Sequence, residues 1–329
     1  MTDFNKLFES FAKIKAGVIG DIMLDTYWWG HVERISPEAP VPVVSLDKRE
    51  HRIGGAGNVA LNLAGLGAQV ATFSVIGPDE EGKILEELLQ RNGIDTRWLE
   101  KSGVRITTNK ARIISRNQQM MRLDSETTAD LLEKEEDLLI SQVSKYLALE
   151  NPQVILFEDY NKGVLTPRVI REVIRMCKDR NIITAVDPKR KNFFSYQGVS
   201  IFKPNLKEVK EGLNLLLDDI QLSSLQDIHR QLGEKLMHRI SFITLSEKGV
   251  FYQTPDESAI IPSHLRNIAD VSGAGDTVIA VAALVYAATR DPRLMAEIAN
   301  IAGGLVCEEV GTVAVDPLKL LKECEQLLN

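Results

Sequence analysis

The chain has 329 residues, of which 44% are apolar and 26% charged, and it carries a formal net charge of −7 at neutral pH. That size supports one main domain with a large core, and the negative balance argues against nonspecific nucleic-acid binding or a membrane-surface role. Cys177, Cys307 and Cys324 are far apart and form no CxxC pair, so neither a disulfide framework nor a zinc site is expected and the compartment reads as reducing.

Residues 1–16 mix Asp, Glu and Lys with Phe and lack the apolar core of a signal peptide. The longest apolar run, 278–288, is too short to span a bilayer, so a cytoplasmic protein is expected. Along the chain, short β-branched runs at 16–19, 70–76, 154–157, 182–186, 200–202 and 240–245 predict strands. Between them, 80–92 and 165–180 carry helix-like apolar spacing, with Gly93 where a C-terminal cap would sit. This alternation predicts an α/β fold built on a parallel sheet with crossover helices.

Two segments break the alternation. In 27–46, Tyr27-Trp28-Trp29 is followed by Pro37, Pro40 and Pro42, which are incompatible with a central strand but suit an edge or a flap. In 101–123 there are six basic residues (Lys101, Arg105, Lys110, Arg112, Arg116, Arg122) and no acidic one. On an uninterrupted strand Lys110, Arg112 and Arg116 would share one face. The segment is therefore either a solvated edge kept basic against aggregation or a flap whose arginines clamp a phosphate.

Three glycine motifs compete for attention. Gly77 to Lys83 has P-loop spacing, but Ile84 replaces the magnesium-binding hydroxyl and Asp79, Glu80 and Glu81 occupy the cradle, so it is rejected. Gly55-Ala56-Gly57-Asn58 resembles a dinucleotide fingerprint, which keeps an NAD-dependent enzyme as an alternative. Against it, residues 47–52 separate the glycines from the apolar run 41–46, where a Rossmann turn leaves its strand directly; Gly54, Gly55 and Asn58 read better as a polar helix start approaching a polyol. The third motif, Asp270-Val271-Ser272-Gly273-Ala274-Gly275-Asp276-Thr277, opens an apolar helix. Backbone amides at Gly273, Ala274 and Gly275, with the helix dipole, form a cradle for an anion. Asp276 either caps that helix or takes a proton from a hydroxyl while the amides hold a transferring phosphoryl group.

Taken together, Gly54-Gly55-Ala56-Gly57-Asn58, the segment 270–276, Gly20-Asp21, Lys203-Pro204-Asn205-Leu206-Lys207-Glu208, residues 244–249 and Asn300 resemble the ribokinase-like carbohydrate kinase (PfkB) family. Val271-Ser272 stands where the family more often has Thr-Thr or Val-Thr, outside the cradle and the base. The resemblance implies a three-layer α/β fold with a mostly parallel central sheet and a small β-sheet lid. It also implies one kinase domain over 1–329, with lid segments at about 27–50 and 101–124. Segments 20–28, 34–44, 115–119 and 159–163 are similar to the heptose 7-phosphate kinase branch, which phosphorylates the anomeric hydroxyl of D-glycero-β-D-manno-heptose 7-phosphate in lipopolysaccharide precursor synthesis. In many bacteria that kinase is fused to an adenylyltransferase; the chain ends at Asn329 without an HxGH motif, so a stand-alone kinase module is expected.

By resemblance, Asp276 is the base and Gly273, Ala274 and Gly275 hold the phosphoryl group. Asp21, Gly54, Gly55, Asn58 and Asp159 face the sugar, with Arg112, Arg116 and then Lys162 as candidates for its phosphate. Lys189, Asn205, Glu208, Thr244, Ser246, Glu247, Gly249 and Asn300 fall to ATP, Glu208 reaching Mg²⁺ through water, and a monovalent cation requirement stays open. The lid is expected to pair two subunits into a homodimer, burying Tyr27, Trp28 and 41–44. Kinases of other sugars, and a catalytically silent sugar-phosphate sensor, remain the alternatives.

Overall fold

The computed structural model describes residues 2–116, 118–216 and 220–328; Asn117, within the 115–119 segment, lies outside them. After the helix Phe4–Phe11, β1 (Lys15–Gly20) enters the core, and after Asp21 alone the chain starts β2 (Ile22–Ile35), which pairs antiparallel with β3 (Pro42–Gly55). There follow β4 (Gln69–Ile76), β5 (Leu99–Lys101), β6 (Asn109–Ser115), β7 (Gln118–Ser125), β8 (Val154–Glu158), β9 (Ile183–Asp187), β10 (Ile201–Phe202), β11 (Ile240–Thr244), β12 (Val250–Gln253) and β13 (Ser258–Ile261).

The nine-stranded sheet has the order β13-β12-β11-β10-β9-β8-β1-β4-β5, parallel throughout except at β11-β12 and β12-β13. Its parallel strands other than the edge strand β5 are buried on both faces, as crossover helices require. Along β8, Val154 and Leu156 join one core cluster while Ile155 and Phe157 join the other. Helices Ala56–Gly65, Ala274–Thr289 and Pro292–Val306 pack in the first cluster, and Glu133–Glu150, Pro167–Lys178 and Leu222–Leu236 in the second.

The smaller sheet has the order β3-β2-β6-β7. Pro37 and Pro40 fall in the β2-β3 connection and Pro42 opens the edge strand β3, so none removes a needed ladder donor. Two expectations are corrected here. Residues 47–52 are not a spacer: β3 runs through them and leads directly into the helix Ala56–Gly65. The dinucleotide reading fails for another reason, because β3 is an edge strand that pairs with β2 alone, antiparallel, and so has no parallel βαβ partner. The basic strand is also interrupted, since β6 turns back into β7 after Ser115, leaving Arg116 in the turn with φ 48°.

Candidate active site

Asp276 lies in the first turn of the helix Ala274–Thr289, whose N-cap, Gly273, has φ 79°. Gly273 is small as well as left-handed, since a Cβ there would come within 2.9 Å of Asn58 Nδ2. Asn58 Nδ2 donates to Asp276 Oδ2 at 2.9 Å, and the Tyr160 hydroxyl donates to Oδ1 at 2.7 Å. Asn62 Nδ2 donates to the Asn58 backbone carbonyl at 2.9 Å and to Asn58 Oδ1 at 3.4 Å. Burial pushes the Asp276 carboxyl up to about 6, with the Asn58 and Tyr160 donors pulling the other way. Of the three amides expected to cradle an anion, that of Ala274 instead donates to the Val271 carbonyl at 3.3 Å.

Asp21, expected against the sugar, spends its carboxylate on backbone. Oδ2 accepts from the N–H groups of Tyr160 (2.9 Å) and Lys162 (3.0 Å), and Oδ1 from that of Val164 (3.1 Å). Burial raises it to about 6 against those bonds. Asp21 therefore orders the loop that carries Tyr160. Asp159 also faces inward, accepting from Tyr196 Oη (2.7 Å) and Asn192 Nδ2 (3.1 Å), and burial raises it. Gly54 and Gly55 allow close passage of the lid root, where a Cβ would come within 2.5 Å of Asp25 Oδ2 and 2.4 Å of the Asp21 carbonyl oxygen respectively.

The basic residues do not converge as a group. Arg112 Nη1 meets Asp25 Oδ1 at 2.5 Å and its guanidinium lies 5.3 Å from the Tyr27 ring centre; burial lowers its proton affinity, but Asp25 outweighs this and raises it. Lys162 Nζ pairs with Glu126 at 2.6 Å, and Lys110 Nζ lies 3.7 Å from the same carboxylate. Arg116 leaves the strand in the turn that follows Ser115, so it does not continue the face of Lys110 and Arg112. Tyr27 is also not free for a partner, being 2% exposed between Arg52, Arg112 and Gly311.

On the other side of Asp276, Asp187 closes β9 and binds Lys189 Nζ (2.9 Å) and the buried Lys203 Nζ (2.8 Å). Burial opposes its ionisation, yet the two ammonium groups hold it below its ordinary value. Lys189 also reaches Glu208 Oε1 at 2.9 Å. Asn205 and Glu208 are not neighbours on a helical face: Asn205 is the N-cap of the helix Leu206–Leu213 and the two form a reciprocal capping box. Beyond them Thr244 ends β11 and bridges to Asn205, and the turn 246–249 holds Ser246 at φ 55° and Gly249 at φ 94°. A Cβ on Gly249 would meet Ile261 O at 2.0 Å, whereas Glu247 is exposed at the same turn. Asn300 Nδ2 donates to Pro262 O at 2.8 Å beside this turn.

The sequence reading missed Tyr160, Glu158 and Lys203 as site residues. The signal was available: each closes or follows an apolar strand of a parallel sheet at its C-terminal end, where α/β folds place ligands.

The match to a family of carbohydrate kinases makes the chain a phosphotransferase acting on an alcohol group. The chain belongs to the pfkB family of carbohydrate kinases, matching it over residues 13–318. Among curated relatives it is 40% identical over 324 residues to the Bifunctional protein HldE of Citrifermentans bemidjiense and 39% identical over 321 residues to that of Geobacter sulfurreducens. It is covered over 98% and 96% of its length, but spans only 65% and 64% of theirs. Among solved structures, phosphofructokinase-2 from Escherichia coli in complex with potassium superposes with a TM-score of 0.80 at 17% identity, covering 96% of this chain and all of that one. Ribokinase from Arabidopsis thaliana, complexed with ribose and ATP, gives 0.73 at 16% identity, covering 94% and 99%. At such identities the likeness concerns the fold. Among the described residues, no helix is long and apolar enough to cross a membrane.

Proposed function

We propose that the chain transfers the γ-phosphoryl group of ATP to the anomeric hydroxyl of D-glycero-β-D-manno-heptose 7-phosphate. The observation that carries the chemistry is Asp276, buried and held from two sides by Asn58 and Tyr160 at the mouth of a glycine-opened helix. Asp276 takes the hydroxyl proton, the freed oxygen bonds to the γ-phosphorus, and the bond to the bridging oxygen breaks as ADP leaves. The amides of Gly273 and Gly275 receive the charge on the transferring oxygens.

ATP occupies the side of Lys189, Thr244, the turn 246–249 and Asn300. The metal accompanying ATP neutralises phosphate charge when bound. Glu208 is a hard oxygen donor suited to hold it through water, with Lys189 already drawn to the same carboxylate. On the sugar side, Arg112 and Lys162 are the candidates for the 7-phosphate, and each would have to exchange a carboxylate partner, Asp25 or Glu126, for the ligand. Relatives carrying the HldE name over nearly all of this chain support the heptose assignment. The lid leaves Ile35, Val41, Leu46, Met120, Met121 and Leu123 exposed, which supports a homodimer formed through that sheet.

The test is ADP release with MgATP and a panel of the heptose 7-phosphate, fructose 6-phosphate, fructose and ribose. Turnover confined to the heptose phosphate is expected. Preference for an unphosphorylated sugar would remove the phosphate-binding role of Arg112 and Lys162 while leaving a sugar kinase.

A further inference from the structure

Arg52 lies near the end of β3, and its guanidinium is held on three sides. Nε donates to Glu50 Oε1 at 2.7 Å, and the guanidinium carbon lies 4.8 Å from the Tyr27 ring centre. Nη1 donates to two backbone carbonyls of a loop far away in sequence, those of Val310 (2.9 Å) and Thr312 (3.3 Å). A charged donor shared between two carbonyls of one loop fixes its backbone more firmly than neutral bonds do. Thr312 is held to the lid twice more, its N–H donating to the Tyr27 hydroxyl at 3.4 Å and its Oγ1 to Asp25 Oδ2 at 3.3 Å. Between them Gly311 has φ 75°, and a Cβ there would come within 2.7 Å of Arg52 Nη1 and 2.9 Å of the Tyr27 hydroxyl, so the loop is fitted to the arginine.

The other side of the loop faces the anion cradle. Gly311 donates its N–H to Asp270 Oδ2 at 2.9 Å, and Asp270 Oδ1 accepts from the Ser272 N–H (2.9 Å) and Ser272 Oγ (2.8 Å). That turn delivers Gly273, the N-cap of the helix bearing Asp276, and a Cβ on Gly273 would come within 3.1 Å of Thr312 Cγ2. The carbonyls of 310 and 312 thus go to the lid, and the amide between them goes to the cradle. We propose that Arg52 is a positioning residue for phosphoryl transfer: through loop 310–312 and Asp270 it sets the turn that aims the Gly273 amide. This rests on the reading of Asp276 and the Gly273 and Gly275 amides as the site of that transfer. The charge met by the cradle is greatest in the transition state, so a slackened turn costs kcat and spares KM.

The experiment compares the wild type with Arg52→Met, which keeps an apolar stem against Tyr27 and loses every donor. Steady-state kinetics with the sugar that the panel selects should show kcat about tenfold lower or more, with both KM values within about twofold. Hydrogen exchange of the full chain without ligand should quicken about tenfold at residues 308–313 and 270–275, and not around Tyr160. Arg52→Lys, able to reach one carbonyl, should fall between and carries the same measurements if the methionine variant does not fold. Because the contacts act in series, Arg52→Met combined with Asp270→Ala should be no slower than the slower single variant. Unchanged kcat, additive losses in the double variant, or unchanged exchange at 270–275 each overturn the inference. A rise in sugar KM alone does so too, as the mark of a direct sugar ligand. A wild type that turns over no sugar of the panel defeats the kinase reading alone, and exchange at 270–275 then decides whether Arg52 sets the turn.

Discussion

Replacing Asp21 with Ala separates two roles for that residue, contact with the sugar and anchoring of the loop 159–164. The substitution strands three backbone N–H groups, those of Tyr160, Lys162 and Val164. Each orphaned donor costs about 1–3 kcal/mol, or about 3–9 kcal/mol together. Against this stands a gain, because burial raises the Asp21 carboxyl from 3.8 to about 6. Holding it ionised at pH 7 costs about 3 kcal/mol, which Ala removes. The expected net loss is about 3 kcal/mol by urea denaturation. A loosened loop also withdraws the Tyr160 hydroxyl from Asp276; losing a hydrogen bond to a charged group, about 1.5–3 kcal/mol, predicts a kcat drop of about 10- to 100-fold. Tyr160→Phe should reproduce the kcat drop without the stability loss, and the double variant should be no slower than Asp21→Ala. The reasoning is refuted if Asp21→Ala keeps its stability and kcat and raises only the sugar KM, the signature of a direct sugar ligand.

Asp276→Asn should fold and bind ATP but lose about three orders of magnitude or more in kcat, since an amide takes up no proton; ATP binding by calorimetry beside steady-state turnover checks this. Lys162→Met should raise KM for the sugar phosphate and not for ATP, while Arg116→Lys, out in the hairpin turn, should change neither. His238 shares the Ser241 hydroxyl with His229, and burial lowers its pKa from 6.5 to about 3, so the native state holds it neutral. The unfolded chain takes up that proton below pH 6.5, so stability falls with pH over the window from 6.5 down to 3. Between pH 7 and 5 this amounts to about 2 kcal/mol, and denaturation of His238→Asn at both pH values should show that much less pH dependence.

Where local chemistry governs, the sequence was readable. Six β-branched runs became strands of the parallel sheet because burial on both faces demands continuous apolar residues, and Gly273 with Asp276 marked a helix start that the fold kept. Long-range geometry was less legible. The turn at Arg116 broke a charged face that period-two spacing joined, and only strand pairing shows that β3 crosses residues 47–52 to reach the glycines. Asn205 and Glu208 were visible as a spacing, but their mutual capping becomes apparent only once the helix start is fixed. Tyr160 and Glu158 acquire meaning only when β8 and β9 are laid side by side and the helix Ala274–Thr289 is brought across their ends.

The main sheet passes into the lid at Asp21 after only that one residue, and the lid passes back into the core at Gly55, whose neighbour Ala56 donates its N–H to the Asp21 carbonyl at 3.0 Å. These two passages are thus tied into one pivot. The side chain at that pivot also grips the loop bearing Tyr160, and Tyr160 grips the Asp276 carboxylate. Mechanically, three hydrogen bonds in series, from Ala56 to Asp21, from Tyr160 to Asp21 and from Tyr160 to Asp276, make the root of the smaller sheet and the Asp276 carboxylate parts of one linkage.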